Sequence, residues 1–432
     1  MLLWENKLAL AFPQWRAVIG AIILALSMLM LSGAASRAQA ACGPGGFVPH
    51  QVIVKLNPIP GATVEQINAT YGSTTLETFP GSTDVYLLEL PTGSDVTETV
   101  KQMANDLRLL YAEPNFFARS PEGGARHRAW GVSDVAPTSQ EYAYQALGLD
   151  SAHAISRGEG TKVAVLDTGA QLDHPALTDN FKDAGRYDFV DNDKNPSERP
   201  VGKDADCDGD KDEMVGHGTH VAGIVDITAP AAKIMPLRVL DTEGYGNVFT
   251  IAKAVYFAEH NRADVINLSL GSPSRSKLLQ EVIKDATANG VLVAAAAGNS
   301  NSFVAEYPAA GNGVAASADG LVAVTSVNRY DQKSDFANYG KWVDIAAPGE
   351  GIRSTFPVSK YAYWSGTSMA TPFVSGQAAL IHAVYGLLDP AGVEARIRCS
   401  ARSLLATDPI YAAMLGAGGA DVGASLSSDA CT

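Results

Sequence analysis

Two patterning regimes divide the chain. Over residues 50–119 the runs QVIVKL and DVYLLEL have strand composition, while TVEQINATYG and SDVTETVKQMANDLRLL space their apolar residues as helices do. With TTLETF and YAEPNFFA as further extended pieces, the order reads β-α-β-β-α-β, a small α+β domain with two helices on one face of an antiparallel sheet. From about residue 141 the pattern changes. KVAVLDTG (162–169), KIMPLRVL (233–240), ADVINLSLG (263–271), GVLVAAAAGN (290–299) and LVAVTSVN (321–328) are nearly all apolar. Between them HVAGIVDITA, NVFTIAKAVYFAEHNR and SRSKLLQEVIKDATANG have helical spacing. Such strands, lacking a polar face, predict an α/β fold: a mostly parallel sheet flanked by helices on both faces. In that architecture polar residues at the C-terminal ends of strands are where ligands sit.

The segments between and around these regions complete a domain plan. Residues 120–140, SPEGGARHRAWGVSDVAPTSQ, have no periodicity and read as an exposed linker in which processing falls. The main domain spans 141–405, and the Ala/Gly-rich stretch 406–432 reads as a peripheral tail. At the other end Lys7 and Arg16 precede the uncharged run Ala17–Ala35 and the small-residue site Ala38–Ala40, the layout of a secretory signal peptide over residues 1–40. The run is also long enough to span a bilayer, and its retention would make an anchored form. Gln39, where a lipobox wants an aliphatic residue, argues against lipidation of Cys42.

Composition narrows the function classes. With 432 residues, 46% of them hydrophobic, the chain can bury a full core and is not of disordered composition. A formal net charge of −14 argues against nucleic acid as a partner. In an exported protein Cys42, Cys207, Cys399 and Cys431 allow two disulfides in three connectivities, of which a Cys399–Cys431 staple is the first expectation. No dinucleotide fingerprint or P-loop is present, so no organic cofactor is implied.

The chemistry collects at strand ends and helix starts. Asp167 closes one apolar strand, His217 and His220 lie in GHGTHVAG, Asn299 ends AAAAGN, and Ser368 lies in SGTSMATP ahead of an apolar helix. Singly, each has an ordinary structural explanation: a cap, a packed histidine, a turn. The two histidines are three apart with no glutamate between them, which is not the spacing of a zinc helix. Jointly an acid, an imidazole, an amide donor and a hydroxyl make up the set needed for acyl transfer.

VAVLDTG, GHGTHVAG, AAAAGNS and GTSMATP resemble the motifs of the subtilisin-like serine peptidases, in that family's order, over roughly residues 145–400. The resemblance implies a nucleophile at Ser368, a general base at His217, an orienting acid at Asp167 and an oxyanion donor at Asn299. It implies that Gly216 and Gly218 bend the chain beside the imidazole and that Gly366 permits close approach to the nucleophile, with Met369 and Pro372 as packing and helix-start residues. Ser269, Leu270 and Gly271 correspond to one wall of the substrate cleft, Ala296, Ala297 and Gly298 to the other, and Glu306–Ala309 to the base of the pocket between them. The expected activity is secreted endopeptidase action of broad specificity, the small walls leaving room for a large apolar residue before the scissile bond. Residues 50–119, ending in YAEPNFFAR, resemble the family's inhibitory propeptide, so the expected partners are peptide and protein substrates and the chain's own propeptide, with no stable membrane association after signal cleavage. A catalytically silent scaffold on the same fold is the alternative, and the intact four-residue set speaks against it.

One loop departs from the compact members of the family. Asp204, Asp206, Asp208, Gly209 and Asp212 follow the D-x-D-x-D-G spacing of calcium ligands, but Val215 stands where an EF-hand places its glutamate. Calcium binding and a solvated acidic loop both fit this sequence.

Overall fold

The computed structural model describes residues 46–58, 61–123, 128–204, 209–311, 319–427 and 431. The signal-peptide stretch, Cys42, Asp206, Cys207 and Asp208 lie outside them. Apart from Asp204 and Gly209, the described residues fall in one unit.

The N-terminal part folds in the expected order: β1 (Phe47–Leu56), a helix at Val64–Tyr71, β2 (Thr74–Thr78), β3 (Val85–Glu89), a helix at Val96–Met103 and β4 (Leu109–Arg119). Neighbours in the order β2-β3-β1-β4 are antiparallel. Thr63 and Asp95 cap the two helices, accepting from the Gln66 and Glu98 amides. Strand alternation gives β1 two jobs. Val52 and Val54 pack with Ile67 and Met103 of the domain's own helices. Ile53 points the other way and joins Phe79, Leu87 and Tyr111 in one apolar cluster with Phe249, Val255, Leu278 and Val282 of the main domain. Those last four come from the helices Val248–His260 and Lys277–Ala288.

Two side chains of β4 also cap these helices. Glu113 accepts from Ser276 Oγ and the Lys277 amide, both at 2.7 Å, and from the Leu278 amide at 3.2 Å. Asn115 Oδ1 accepts from the Phe249 amide at 3.2 Å. Helix N-termini carry unpaired N–H groups and partial positive charge, which offset part of the burial cost that raises the Glu113 pKa.

The stretch 120–140 departs from the exposed linker expected of it. Ser120 and Glu122 are buried, and Trp130–Ser133 forms a strand, β5, that pairs with one arm of the hairpin made by Ile352–Phe356 and Lys360–Trp364.

The five expected apolar strands all form: β6 (Lys162–Asp167), β8 (Lys233–Arg238), β10 (Val265–Leu268), β11 (Leu292–Ala296) and β12 (Leu321–Val327). The two-residue β7 (Tyr187–Asp188) and β13 (Ile345–Pro348) extend the sheet to seven strands in the order β13-β12-β11-β10-β6-β8-β7, all parallel. Alternate residues serve opposite faces. Val163, Val165, Leu292 and Val324 pack with Val221 and Phe373 of the helices His217–Thr228 and Thr367–Val384. Ala164, Leu166, Val293 and Ala323 pack with Phe249 and Leu278 on the other side. Two covered faces explain why these strands carry no polar alternation.

The tail reading of 406–432 is corrected. Leu415, Ala420, Val422 and Leu426 are buried, and the Ala346 amide donates to Gly418 O at 2.9 Å while the Ala420 amide donates to Ala346 O at 2.7 Å. The segment thus pairs with β13, and the Cys399–Cys431 disulfide ties it down. Among the described residues no helix is long and apolar enough to cross a membrane.

Candidate active site

Asp167 is the last residue of β6, and His217 is the first of the helix that follows the long loop after it. His217 Nδ1 donates to Asp167 Oδ1 at 2.7 Å, an oxygen that also accepts the Thr168 amide at 2.7 Å. Both side chains are fully buried. Gly216 (φ 100°) makes the turn into the helix, and a Cβ there would lie 2.5 Å from the Phe356 ring. Gly218, expected to bend the chain, is helical; its missing side chain instead admits the Gly169 carbonyl, 2.1 Å from where a Cβ would stand. His220 belongs to the fold: its Nε2 donates to the carbonyls of Ile352 and Ala362 at 3.1 Å, and burial lowers its pKa to about 3, keeping it neutral.

Ser368 occupies the first turn of the helix Thr367–Val384. Pro372, expected at the helix start, sits in the second turn. Having no N–H, it leaves the Ser368 carbonyl without its intrahelical donor, and Ser269 Oγ supplies one at 3.0 Å. Ser269 is itself held by Asn267 Nδ2 at 2.9 Å, and Asn267 Oδ1 accepts from Ser375 Oγ of the same helix at 2.8 Å. Asn299 follows β11, and its Oδ1 accepts from the amide and the hydroxyl of Thr367, both at 2.9 Å, which turns its Nδ2 toward Ser368.

The space among these groups is filled by the chain itself. β4 continues through the cleft as a strand, pairing antiparallel with β9 (Tyr245–Asn247) on one side. The Ser120 amide extends that pairing by donating to Gly244 O at 2.9 Å, and on the other side Arg119 and Gly271 exchange two 2.9 Å hydrogen bonds. A turn at Ser120–Gly123 then puts the side chain of Glu122 at the centre of the site. Its Oε2 accepts from Ser368 Oγ (2.6 Å), Ser120 Oγ (2.7 Å) and His217 Nε2 (3.1 Å). Its Oε1 accepts from Asn299 Nδ2 (2.8 Å) and the Ser368 amide (3.3 Å). Gly366 is required for this, since a Cβ there would lie 1.8 Å from Oε1.

The electrostatics follow. Burial disfavours charge on His217, but Asp167 and Glu122 outweigh it and raise the imidazole to about 10. Burial likewise opposes charge on Glu122, and His217, Ser368 and Ser120 overcome it, lowering the carboxyl to about 2. His217 and Glu122 form a buried ion pair.

The remaining sequence-predicted residues divide. Gly271 presents its main chain to the cleft, whereas Leu270 packs into the core. Ala296 ends β11; the Ala297 amide donates to Val324 O, and the Gly298 amide to Thr367 Oγ1 at 3.1 Å, so these wall residues brace the fold from behind. Of the acidic loop, Asp206 and Asp208 lie outside the described residues. Asp212 accepts from the Val201 and Gly202 amides at 3.0 and 2.6 Å, tying off the loop. No group of three or more His, Cys, Asp or Glu placed to hold a metal occurs among the described residues.

Sequence reading missed Glu198. Its carboxylate accepts from the amides of Gly216, Gly218 and Thr219, each at 3.1 Å, and from the hydroxyls of Thr168 and Thr219. It thereby caps the helix that carries His217 and bonds the residue next to Asp167. A single glutamate in NPSERP carries no periodic signal.

The Subtilase family matches residues 158–418, and the fervidolysin N-terminal prodomain matches residues 33–115. The chain belongs to the subtilase family, the subtilisin-like serine endopeptidases, and carries an N-terminal prodomain. Among relatives it is 40% identical to thermitase of Thermoactinomyces vulgaris over 56% of this chain and 82% of that one. It is 37% identical to a thermophilic serine proteinase of Bacillus sp. strain AK1 over 66% of each chain. The structure of fervidolysin from Fervidobacterium pennivorans, a keratinolytic enzyme related to subtilisin, aligns with a TM-score of 0.70 at 21% identity. That alignment covers 90% of this chain and 62% of fervidolysin.

Proposed function

We propose that the chain is an exported, self-processing serine endopeptidase in which Ser368 is the nucleophile, His217 the general base and acid, Asp167 the residue that orients the imidazole, and Asn299 with the Ser368 amide the oxyanion site. The observation that carries this reading is the placement of Glu122. Its two oxygens stand where a scissile carbonyl would need them, one against the hydroxyl and imidazole, the other between two N–H donors. With the tail withdrawn, a peptide carbonyl enters the same place. Ser368 Oγ attacks the carbonyl carbon as Nε2 takes its proton; the charge developing on the carbonyl oxygen meets the donors that Glu122 Oε1 had used. The imidazolium, stabilised by Asp167, then protonates the leaving amine, and water repeats the sequence to release the acyl group. Peptide main chain would pair with β9 and Gly271 as the tail does, which gives affinity without reading sequence.

Ser120 Oγ also approaches His217 Nε2, at 3.3 Å, so two hydroxyls compete for the role of nucleophile. Ser120 belongs to the prodomain tail and bonds to Glu122, whereas Ser368 stands beside both oxyanion donors. The test is intact mass over time for refolded protein lacking residues 1–40, with Ser368→Ala and Ser120→Ala alongside. Native chain and Ser120→Ala should lose the prodomain, and Ser368→Ala should keep full mass. Processing by Ser368→Ala would remove the assignment.

A further inference from the structure

Glu306 opens the stretch that, by the family resemblance, corresponds to the base of the pocket for the residue before the scissile bond, and it brings a carboxylate there. Glu306 lies between the two walls of the cleft. Its Oε2 is 1.6 Å from where a Cβ on Gly298 would stand and 3.7 Å from where one on Gly271 would stand. Gly298 has φ 99°, so both its backbone and the carboxylate behind it demand glycine.

The position is braced. Tyr307, next in sequence, exchanges two hydrogen bonds with Ser272, at 2.8 and 2.9 Å, which holds the Glu306 main chain against the first wall. Asn338 Nδ2 donates to Glu306 Oε2 at 3.3 Å and to Ala297 O at 2.9 Å, and the Asn338 amide donates to Gly298 O at 2.9 Å, which holds the side chain against the second. Among the described residues Glu306 has no ion-pair partner. Burial raises its pKa, and the cation that opposes this is Arg119 of the prodomain tail.

A half-buried carboxylate with one amide donor and no paired cation, whose nearby Arg119 belongs to a tail that leaves on processing, is an incomplete arrangement. An apolar side chain entering the pocket would strip the remaining water from it and return nothing. A guanidinium or ammonium group would pair with it, and Arg can do so through two hydrogen bonds. We propose that Glu306 makes this enzyme prefer lysine or arginine immediately before the scissile bond. The inference rests on the proposed peptidase activity and replaces the apolar preference read from the small walls, because the charge at the base outweighs the size of the sides. It also bears on maturation: the segment that must be cut contains Arg119, Arg126 and Arg128.

The experiment compares kcat/KM of the processed enzyme on peptides identical except for Arg, Lys, Leu or Phe before the scissile bond, for native protein and for Glu306→Gln. Active sites are titrated with a serine-reactive phosphonate so that misfolded protein drops out. Native enzyme should favour Arg and Lys over Leu by about 10-fold or more, and Glu306→Gln should lower the Arg and Lys values about 10- to 100-fold while Leu and Phe are unchanged or improved. Should Glu306→Gln fail to fold, Glu306→Asp serves, with a smaller loss confined to the basic substrates. Native enzyme that favours Leu or Phe, or variants that leave the ratio unmoved, overturns the proposal while leaving the peptidase assignment standing. Absence of cleavage of any peptide, with no phosphonate uptake, overturns both.

Discussion

Removing the Glu122 carboxylate should open the zymogen. In the closed state that group ends five hydrogen bonds and pairs with His217, entirely out of water. Deleting one partner of a buried ion pair costs about 3–5 kcal/mol, and hydrogen bonds to a charged group contribute about 1.5–3 kcal/mol each without adding in full. The orphaned donors recover water once the tail lifts, so the lower figure applies. About 3 kcal/mol is a change of about 100-fold in the equilibrium between closed and open cleft. Glu122→Ala should therefore raise the rate at which a fluorophosphonate labels Ser368 in freshly refolded, unprocessed chain by about that factor. Glu122→Gln, which keeps the shape and loses the charge, should raise it by about tenfold. Intact mass resolves labelled precursor from processed enzyme. Equal labelling of native and variant chains would mean that the tail is held by β4 alone, and the argument from the ion pair would fall.

The same pair predicts pH behaviour. Two carboxylates raise His217 to about 10, and of these only Glu122 leaves when the cleft opens, so the Glu122 share of the contribution to closure holds while the imidazole is protonated and fades as pH rises toward 10. Glu122 is lowered, from 4.5 to about 2, so its contribution is complete above pH 4.5 and fades toward 2. Labelling of the native precursor should be slowest where both groups are charged, above about pH 4.5, and should accelerate on the alkaline side as His217 loses its proton. Asn299→Ala should fold and bind peptide but lose kcat by about 10²–10³-fold, a size taken over from subtilisin, where it was measured for such a donor. Glu198→Ala should lower stability by about 1–3 kcal/mol in denaturant titrations and lower kcat more than it raises KM, because the His217 helix loses its anchor; an unchanged kcat at reduced stability would make Glu198 a fold residue alone. Calcium added to chelator-stripped protein decides between the two readings of the acidic loop: a rise of several degrees in melting temperature would place the ion there, and an unmoved one would leave a solvated loop tied off by Asp212.

The parts legible in sequence are those where a pattern breaks. Asp167, Asn299 and Ser368 each stand where an apolar run stops or starts; Asn299 and Ser368 bond to the Glu122 carboxylate, and Asp167 bonds to the far side of the imidazole that does so. The five buried strands were equally plain, because two covered faces leave no alternation to misread. Glu122 and Glu198 were invisible, and Glu306 was read as part of the pocket base without weight given to its charge, for one shared reason. Each acts on partners brought near only by the fold, Glu122 across 246 residues, and each sits in an irregular stretch rich in Pro, Gly, Ser or Ala where a lone acid reads as solvated. The tail was misjudged because small residues mimic low complexity, although Ala420 and Gly418 are small so that they can lie against β13.

The strand that β4 lends to the cleft has a consequence for timing. Each molecule is made with one copy of its own competitor already docked on the edge a substrate needs. On the proposed self-processing, cutting the connection would leave that competitor in place, so the first cleavage would yield a complex rather than a working enzyme. Free enzyme would then appear only as rare open molecules digest the prodomains of their neighbours, each one freed hastening the next. Activity in a fresh preparation should follow a sigmoid with a lag that shortens as protein concentration rises, the kinetics of a chain reaction rather than of an independent switch in every molecule.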